Sequence, residues 1–426
     1  MLSEQQHTAI YKYALIGTGI TLPIHMHLNV ACLVILTLNW LIEGQYRTKL
    51  LSIKKEPLAT LSFLFFLWFV VQLAFTNNPE VGRFAIEKKG AFIIVPLLLF
   101  TKKDLITTWI PNIMRAFTIS ISGVLLFCLL VATYNAIHIP STDYFLYHNL
   151  SSYANQSAIY LSLLCMLAAI YTLYSIKKSY TKKSSDYLLY TFLLICIVLL
   201  SSKLHIVLFS LVSLALAMPN YKNNPSIFKL ISLAFLGIAL VLLFTNNPIK
   251  QRYKDIKIER LHMLQQTQYS SSDYFDGLSM RLLFMRFGYE ILNEHKAWLK
   301  GVSPGNNQVY LNGKIRTYHL YTGDPNKGTT GYLNYEYHNQ YMETLVGCGL
   351  IGLGLLLSIL TIAFRSAILF KNSLLLSYLF VFSICFLTEA LLEMEIGVVS
   401  FTFFTCLLTL PRPIETPVYE EPLLYV

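Results

Sequence analysis

Twelve apolar windows, nine before and three after one polar interval at residues 246–340, leave this chain few folds to choose from. The windows lie near 8–25, 28–43, 58–76, 84–101, 111–137, 153–176, 186–201, 203–218, 227–245, 341–364, 373–392 and 395–411. Crossing a bilayer takes about 20 apolar residues as a helix. Within lipid every backbone polar group must be satisfied inside the chain, which favours helices. With 55% apolar and only 13% charged residues the chain is too apolar for a soluble globule. The expected fold is all-α: a polytopic membrane protein with about twelve transmembrane helices and one large periplasmic loop. Its expected segments are a nine-span bundle (1–245), the loop (246–340), a three-span bundle (341–411) and a cytoplasmic tail (412–426).

Positive charge sets the expected orientation. Alternate loops carry basic clusters, such as Arg47, Lys49, Lys54 and Lys55, or Lys177, Lys178, Lys182 and Lys183. The short loops on the other side hold only Arg83, Lys88, Lys89 and Lys203. The positive-inside rule then places both termini in the cytoplasm and the long interval outside, in the periplasm of a Gram-negative inner membrane. The net charge of +10 is thereby explained without nucleic acid. No basic n-region with a cleavage site precedes the first window, so it is expected to insert uncleaved. The seven cysteines all lie in or beside apolar windows and form no C-x-x-C, which speaks against a disulfide framework or a zinc site.

Basic residues on the outer face work against that orientation. Singly, Lys88, Lys89 and Lys203 read as snorkelling interfacial charges. Together with Arg252, Arg281 and Arg286 they form a basic rim suited to an anionic ligand. Arg281 and Arg286 sit in a helical pattern, Met280 to Tyr289, about 140° apart at 100° per residue, so they face different ways. Arg281 shares its face with Phe284, Met285 and Gly288 and is expected in the pocket. Gly301 to Asn307 reads as a turn cluster and 310–336 as irregular. Ten tyrosines between Tyr253 and Tyr337 suit either sugar rings or an interfacial belt.

The interval closes on Tyr337-His338-Asn339, ahead of a run holding Gly347, Gly349, Gly352 and Gly354. Asn339 is the expected N-cap of the helix that re-enters the membrane. His338 then stands at a helix N-terminus, where anions are attracted and the neutral imidazole is favoured. Such a histidine suits a general base, although the same position also serves surface or capping residues. The glycines read as packing positions.

This closing stretch resembles the O-antigen ligase and polymerase superfamily, whose outer loop ends in His-Asn followed by bulky residues and glycines. His338, Asn339, Gly349 and Gly352 match it. Upstream, Arg281, Gly301, Gly305 and Asn306 resemble the family's arginine and glycine turn, with Gly301-Val302-Ser303 standing where Gly-Val-Gly is usual. Ser202-Lys203 occupies the place of a Ser-Arg pair, which keeps the charge and loses the guanidinium fork. Glu87, Lys88 and Lys89 resemble the basic approach to the fourth span, and Glu389, with Glu393 and Glu395 nearby, matches an acidic residue after the eleventh.

The resemblance implies a GT-C-like glycosyltransferase that uses an undecaprenyl-diphosphate-linked glycan, with no cofactor, nucleotide sugar or metal. It implies His338 and Arg281 as catalytic residues. Lys203, Arg252, Lys88, Lys89, Arg286, Asn339 and Glu389 are the implied diphosphate- or substrate-binding set, Glu389 as a group that orients His338 or an arginine. The acceptor is lipid A–core for a ligase, a second lipid-linked glycan for a polymerase, or a protein for an oligosaccharyltransferase. A secondary transporter is the rival from another class. Against it, Glu80, Glu87, Asp104, Asp143 and Asp186 all fall in loops or window edges, and no internal repeat is visible.

Overall fold

The computed structural model describes residues 2–178, 183–200, 203–217, 263–270, 273, 275–324, 326, 328, 329 and 331–410. Among these residues the chain is helical throughout, with no β-strand beyond one bridge between Asp324 and Thr329. The first helices are α1 (Glu4–Thr21), α2 (Met26–Glu43), α3 (Tyr46–Lys54), α4 (Pro57–Gln72), α5 (Pro79–Lys89) and α6 (Ala91–Thr101). Next come α7 (Lys103–Thr107), α8 (Ile110–His138), α9 (Tyr147–Ser152), α10 (Ala158–Lys178), α11 (Ser184–Leu199) and α12 (Lys203–Ala217). The polar interval contributes α13 (Gly277–Glu294) and α14 (Pro304–Thr317). The chain then runs through α15 (Gln340–Leu369), α16 (Ser373–Cys385) and α17 (Glu395–Thr409).

Five stretches are long and apolar enough to cross a membrane: Met26–Glu43, Pro57–Phe75, Ile110–His138, Ala158–Lys178 and Gln340–Leu369. Ser184–Leu199, Leu204–Ala217, Ser373–Cys385 and Glu395–Thr409 are shorter apolar helices. This is a multi-pass membrane protein. Each apolar window of the sequence coincides with a helix except 227–245, which lies outside the described residues, as does the tail 412–426. The fourth window is divided at Gly90, where α5 ends and α6 begins.

The three C-terminal helices pack among the earlier ones. α15 lies on α4, α17 on α6, and α16 against α10 and α12. Aromatic rings tie the sets together: Phe92 meets Phe65 at 4.9 Å and Phe401 at 6.2 Å, and Phe117 meets Phe404 at 4.9 Å. One apolar core runs through all of these helices. Little of it is driven by water exclusion within the bilayer, so ring packing and close contact supply the cohesion.

The described part of the polar interval has a core of its own, in which Leu283, Phe284, Phe287 and Ile291 of α13 meet Leu311 and Ile315 of α14 and Tyr337. Asp276 caps α13 by accepting from the Leu278 and Ser279 amides, both at 2.9 Å. Residues 310–317, expected to be irregular, belong instead to α14. Pro304 at the first turn is preset for a helix. Leu311 and Ile315, one turn apart, bury the inner face. The Gly and Asn content that suggests a turn here is overridden by that tertiary contact.

Side-chain to backbone bonds fasten this cap to the end of α4. Gln72 Nε2 donates to the Lys300 carbonyl (2.7 Å) and Ser303 Oγ to the Gln72 carbonyl (3.0 Å). Asn306 accepts from the Asn77 amide (2.9 Å) and donates to the Val302 carbonyl (2.9 Å). Gly305 lies so close to Thr76 that a Cβ there would sit 2.2 Å from its hydroxyl. The Gly301–Asn306 stretch is thus a fastening between cap and membrane body.

α15, read from the sequence as a continuous span, opens at Gly349 (φ 69°, ψ −171°). Residues 298–302 come into the gap. The Leu350 amide donates to the Trp298 carbonyl (2.8 Å), Ile351 to Leu299 (3.3 Å), and Val302 to Val346 (2.8 Å). The backbone groups freed by the break therefore find partners.

Candidate active site

The three residues before α15 are set by bonds to the segment that joins α16 to α17. Asn339 is the N-cap of α15, accepting from the Met342 amide at 2.9 Å. Its Nδ2 donates to the Leu387 carbonyl at 3.1 Å. The Gln340 amide donates to the Phe386 carbonyl (2.7 Å), and Gln340 Oε1 accepts from the Leu392 amide (2.6 Å). Behind the turn, Glu343 accepts from Asn307 Nδ2 (2.6 Å) and the Tyr337 amide (3.3 Å), while Tyr337 OH donates to Asn307 Oδ1 (3.2 Å). Between these anchors His338 is held at φ 49°. That left-handed conformation costs a residue with a Cβ ~1–2 kcal/mol. The surrounding bonds over-determine it.

This turn presents His338 to Glu389. Nδ1 of His338 lies 3.3 Å from Glu389 Oε2, and Glu389 Oε1 accepts from Arg281 Nη2 at 2.6 Å. One carboxylate thus joins a histidine from the start of α15 to an arginine from α13. Arg281 also donates from Nε to the Thr388 carbonyl (2.8 Å) and from Nη1 to the Gly277 carbonyl (2.7 Å). Three of the five guanidinium N–H groups are taken in this way, which leaves two for a ligand. The side chains of Arg281, His338 and Glu389 are 27%, 25% and 16% exposed, so the trio is open on one side. Burial opposes ionisation of Glu389, but the His338 bond and the Arg281 charge outweigh it and hold the carboxyl below the usual range.

Residues 188–357 match the family described as O-antigen ligase. This match supports the resemblance of the chain to the O-antigen ligase superfamily. Among curated proteins none matches it. The match indicates a glycosyltransferase-like membrane enzyme of the ligase or polymerase type and implies glycan-linked substrates. The matched stretch takes in Lys203, Arg281, Asn306 and His338, while Lys88, Lys89 and Glu389 fall on either side of it.

The other residues singled out in the sequence are placed differently. Arg286 points away from Arg281: Nε donates to Glu290 (2.8 Å), Nη1 to the Leu264 and Gln266 carbonyls (2.6 and 2.8 Å), and Nη2 to Tyr318 (3.2 Å). Four of its five donors serve the cap. Lys89 is fully buried, with its ammonium 2.9 Å from Glu393 Oε1 and against the Leu392 carbonyl, over the Phe69 ring. Lys88 is half-buried and donates to the Glu393 carbonyl at 2.8 Å. Both lysines hold the α16–α17 segment from below. Both ends of the Asn339 amide are engaged with the protein as described above. Lys203 opens α12, and Arg252 lies outside the described residues.

Three further carboxylates stand beside the trio, of which Glu336 and Glu343 escape a reading by motif. Glu393 anchors the two lysines, and Glu343 holds the turn before His338. Glu336 stands two residues before the histidine. Burial and the Glu393 and Glu389 carboxylates push Glu336 up to about 7, against the pull of His338 and Lys88. A signal did exist, because Glu336 and Glu343 flank the His-Asn pair in an otherwise uncharged run from Gly328 to Phe364.

Proposed function

We propose that this protein is an O-antigen ligase-like inverting glycosyltransferase of the bacterial inner membrane, with its large loop in the periplasm. It moves a glycan from undecaprenyl diphosphate to a sugar hydroxyl of lipid A–core. The observation that supports this reading best is the bridging of His338 and Arg281 by Glu389 at the open side of the cap. The match to the O-antigen ligase family supports glycan-linked substrates.

In this reading Glu389 accepts the Nδ1–H of His338 and so leaves Nε2 as the proton acceptor. His338 takes the proton of the acceptor hydroxyl as its oxygen attacks the anomeric carbon. The bond from that carbon to the diphosphate oxygen breaks, and its electron pair leaves with undecaprenyl diphosphate. Attack from the opposite face inverts the anomeric centre. The leaving group is already a stable anion and needs charge stabilisation rather than a proton. The two remaining N–H groups of Arg281 supply charge-assisted hydrogen bonds, and Lys88 adds positive charge nearby. Lys203 and Arg252 are retained as diphosphate ligands on sequence grounds. No step in this scheme requires a metal.

Deletion of the gene followed by gel analysis of envelope glycans tests the assignment. Bare lipid A–core with accumulating lipid-linked polymer is the expected result. Core bearing a single repeat makes the protein a polymerase of the same superfamily, and an unchanged banding pattern excludes both.

Arg281→Lys tests the fork. A lysine keeps the charge but cannot bind Glu389, Thr388 and a phosphate oxygen at once. Loss of a charge-assisted bond of ~1.5–3 kcal/mol lowers transfer roughly 10- to 100-fold. Reconstituted protein and a lipid-linked donor provide the measurement, and wild-type rates in this variant would remove Arg281 from the diphosphate site.

A further inference from the structure

Glu336 has no described role in holding the fold. It is half-buried, yet among the described residues its carboxyl accepts no hydrogen bond. Its oxygens are not among the buried atoms left without a partner, so they are open to solvent and a partner from outside the chain can reach them. The nearby donors are directed elsewhere: Lys88 and Lys89 to Glu393, Arg281 to Glu389 and Thr388. Glu336 is nonetheless within electrostatic reach of His338, Glu389, Glu393 and Lys88, so it belongs to the same site.

The sign of the charge limits what it can bind. A diphosphate would be repelled by Glu336, with Glu389 and Glu393 close by. An uncharged polyol would not be, and sugar hydroxyls can both donate and accept. The carboxyl, held near neutrality as described above, passes between acceptor-only and O–H donor forms and can answer either role. Beside it Tyr335 is 37% exposed, with its ring perpendicular to His338 at 5.9 Å. Tyr335 is set by edge contacts with Phe284 (6.5 Å) and Tyr332 (6.0 Å), which leaves an aromatic surface next to the imidazole.

We infer that Glu336 holds the acceptor sugar, hydrogen-bonding a hydroxyl adjacent to the one that His338 deprotonates, with Tyr335 against the sugar ring. The inference rests on the transfer reaction proposed above and divides the site into two poles. Arg281 faces the donor diphosphate, and the Tyr335–Glu336 pair faces the acceptor.

The test uses the full chain in lipid nanodiscs, with undecaprenyl-diphosphate-linked oligosaccharide as donor. Lipid A–core and, separately, a second lipid-linked oligosaccharide are offered as acceptors. Glu336→Ala is expected to raise the KM of the acceptor used by about 10- to 100-fold, the loss of one hydrogen bond to a charged group, with the donor KM unchanged. Tyr335→Leu, at an exposed ring, gives a second reading of the same acceptor KM should the first variant fold poorly. An unchanged acceptor KM, or a rise confined to the donor, overturns the inference. His338→Asn in the same assay reports on the base separately: retained turnover at saturating acceptor refutes the proposed reaction scheme, whatever Glu336 does.

Discussion

His338→Ala lowers glycan transfer by ~10²–10⁴, the usual cost of losing a general base. The fold should survive, because Glu389 keeps its 2.6 Å bond to Arg281 and α15 keeps its Asn339 cap. Alanine does inherit the strained backbone at φ 49°, so His338→Asn is the better-controlled variant. Asparagine visits the left-handed region more readily than most residues and still lacks a basic ring nitrogen. Transfer from a lipid-linked donor in nanodiscs, measured beside the thermal unfolding of both variants, separates chemistry from stability. Normal transfer in His338→Asn would take the imidazole out of the mechanism.

Gly349→Ala is expected to abolish folded protein. At φ 69° an added Cβ would lie 2.3 Å from the Leu299 carbonyl oxygen and 2.5 Å from the Gly301 amide nitrogen. Both are backbone atoms, so neither can swing aside. The left-handed conformation itself costs a non-glycine residue ~1–2 kcal/mol. Displacing residues 298–302 also breaks the bonds that satisfy the opened helix, each worth ~0.5–1.5 kcal/mol and more where a buried group is left unpaired. Together this reaches several kcal/mol, a large part of the ~5–15 kcal/mol that keeps a typical protein folded. Gly354, in the same helix, has nothing within 4 Å of its Cβ position. Gly354→Ala should therefore be tolerated or slightly stabilising. Size-exclusion profiles of fluorescently tagged variants compare the two, and a monodisperse Gly349→Ala peak would contradict this account.

The contrast between these glycines shows where sequence reasoning reaches its limit. Apolar length finds the helices well, because backbone satisfaction in lipid leaves few alternatives. The same rule passes over the break at Gly349, since the partners of the opened backbone come from Trp298 and Leu299, some fifty residues earlier in the chain. The 140° separation of Arg281 and Arg286 follows from helical geometry alone, and the two guanidinium groups do lie among different partners. Which partners they meet does not follow from it. Glu290 and Tyr318 engage Arg286 through packing of α13 on α14, a helix hidden by its own glycine and asparagine content. Lys89 looks in sequence like a free cation beside Lys88. Its burial against Glu393 is legible only once α17 is known to pack on α6. Glu336 carries no motif at all and comes to notice through the absence of a hydrogen bond.

The trio is assembled from parts that leave the ribosome far apart. Arg281 emerges first, His338 fifty-seven positions later, and Glu389 another fifty-one, between α16 and α17. A nascent chain threaded as far as α15 already exposes an arginine and a histidine, but nothing yet connects them. The shared carboxylate arrives only with the segment between α16 and α17, so the trio is complete only once that segment has joined α13 and α15.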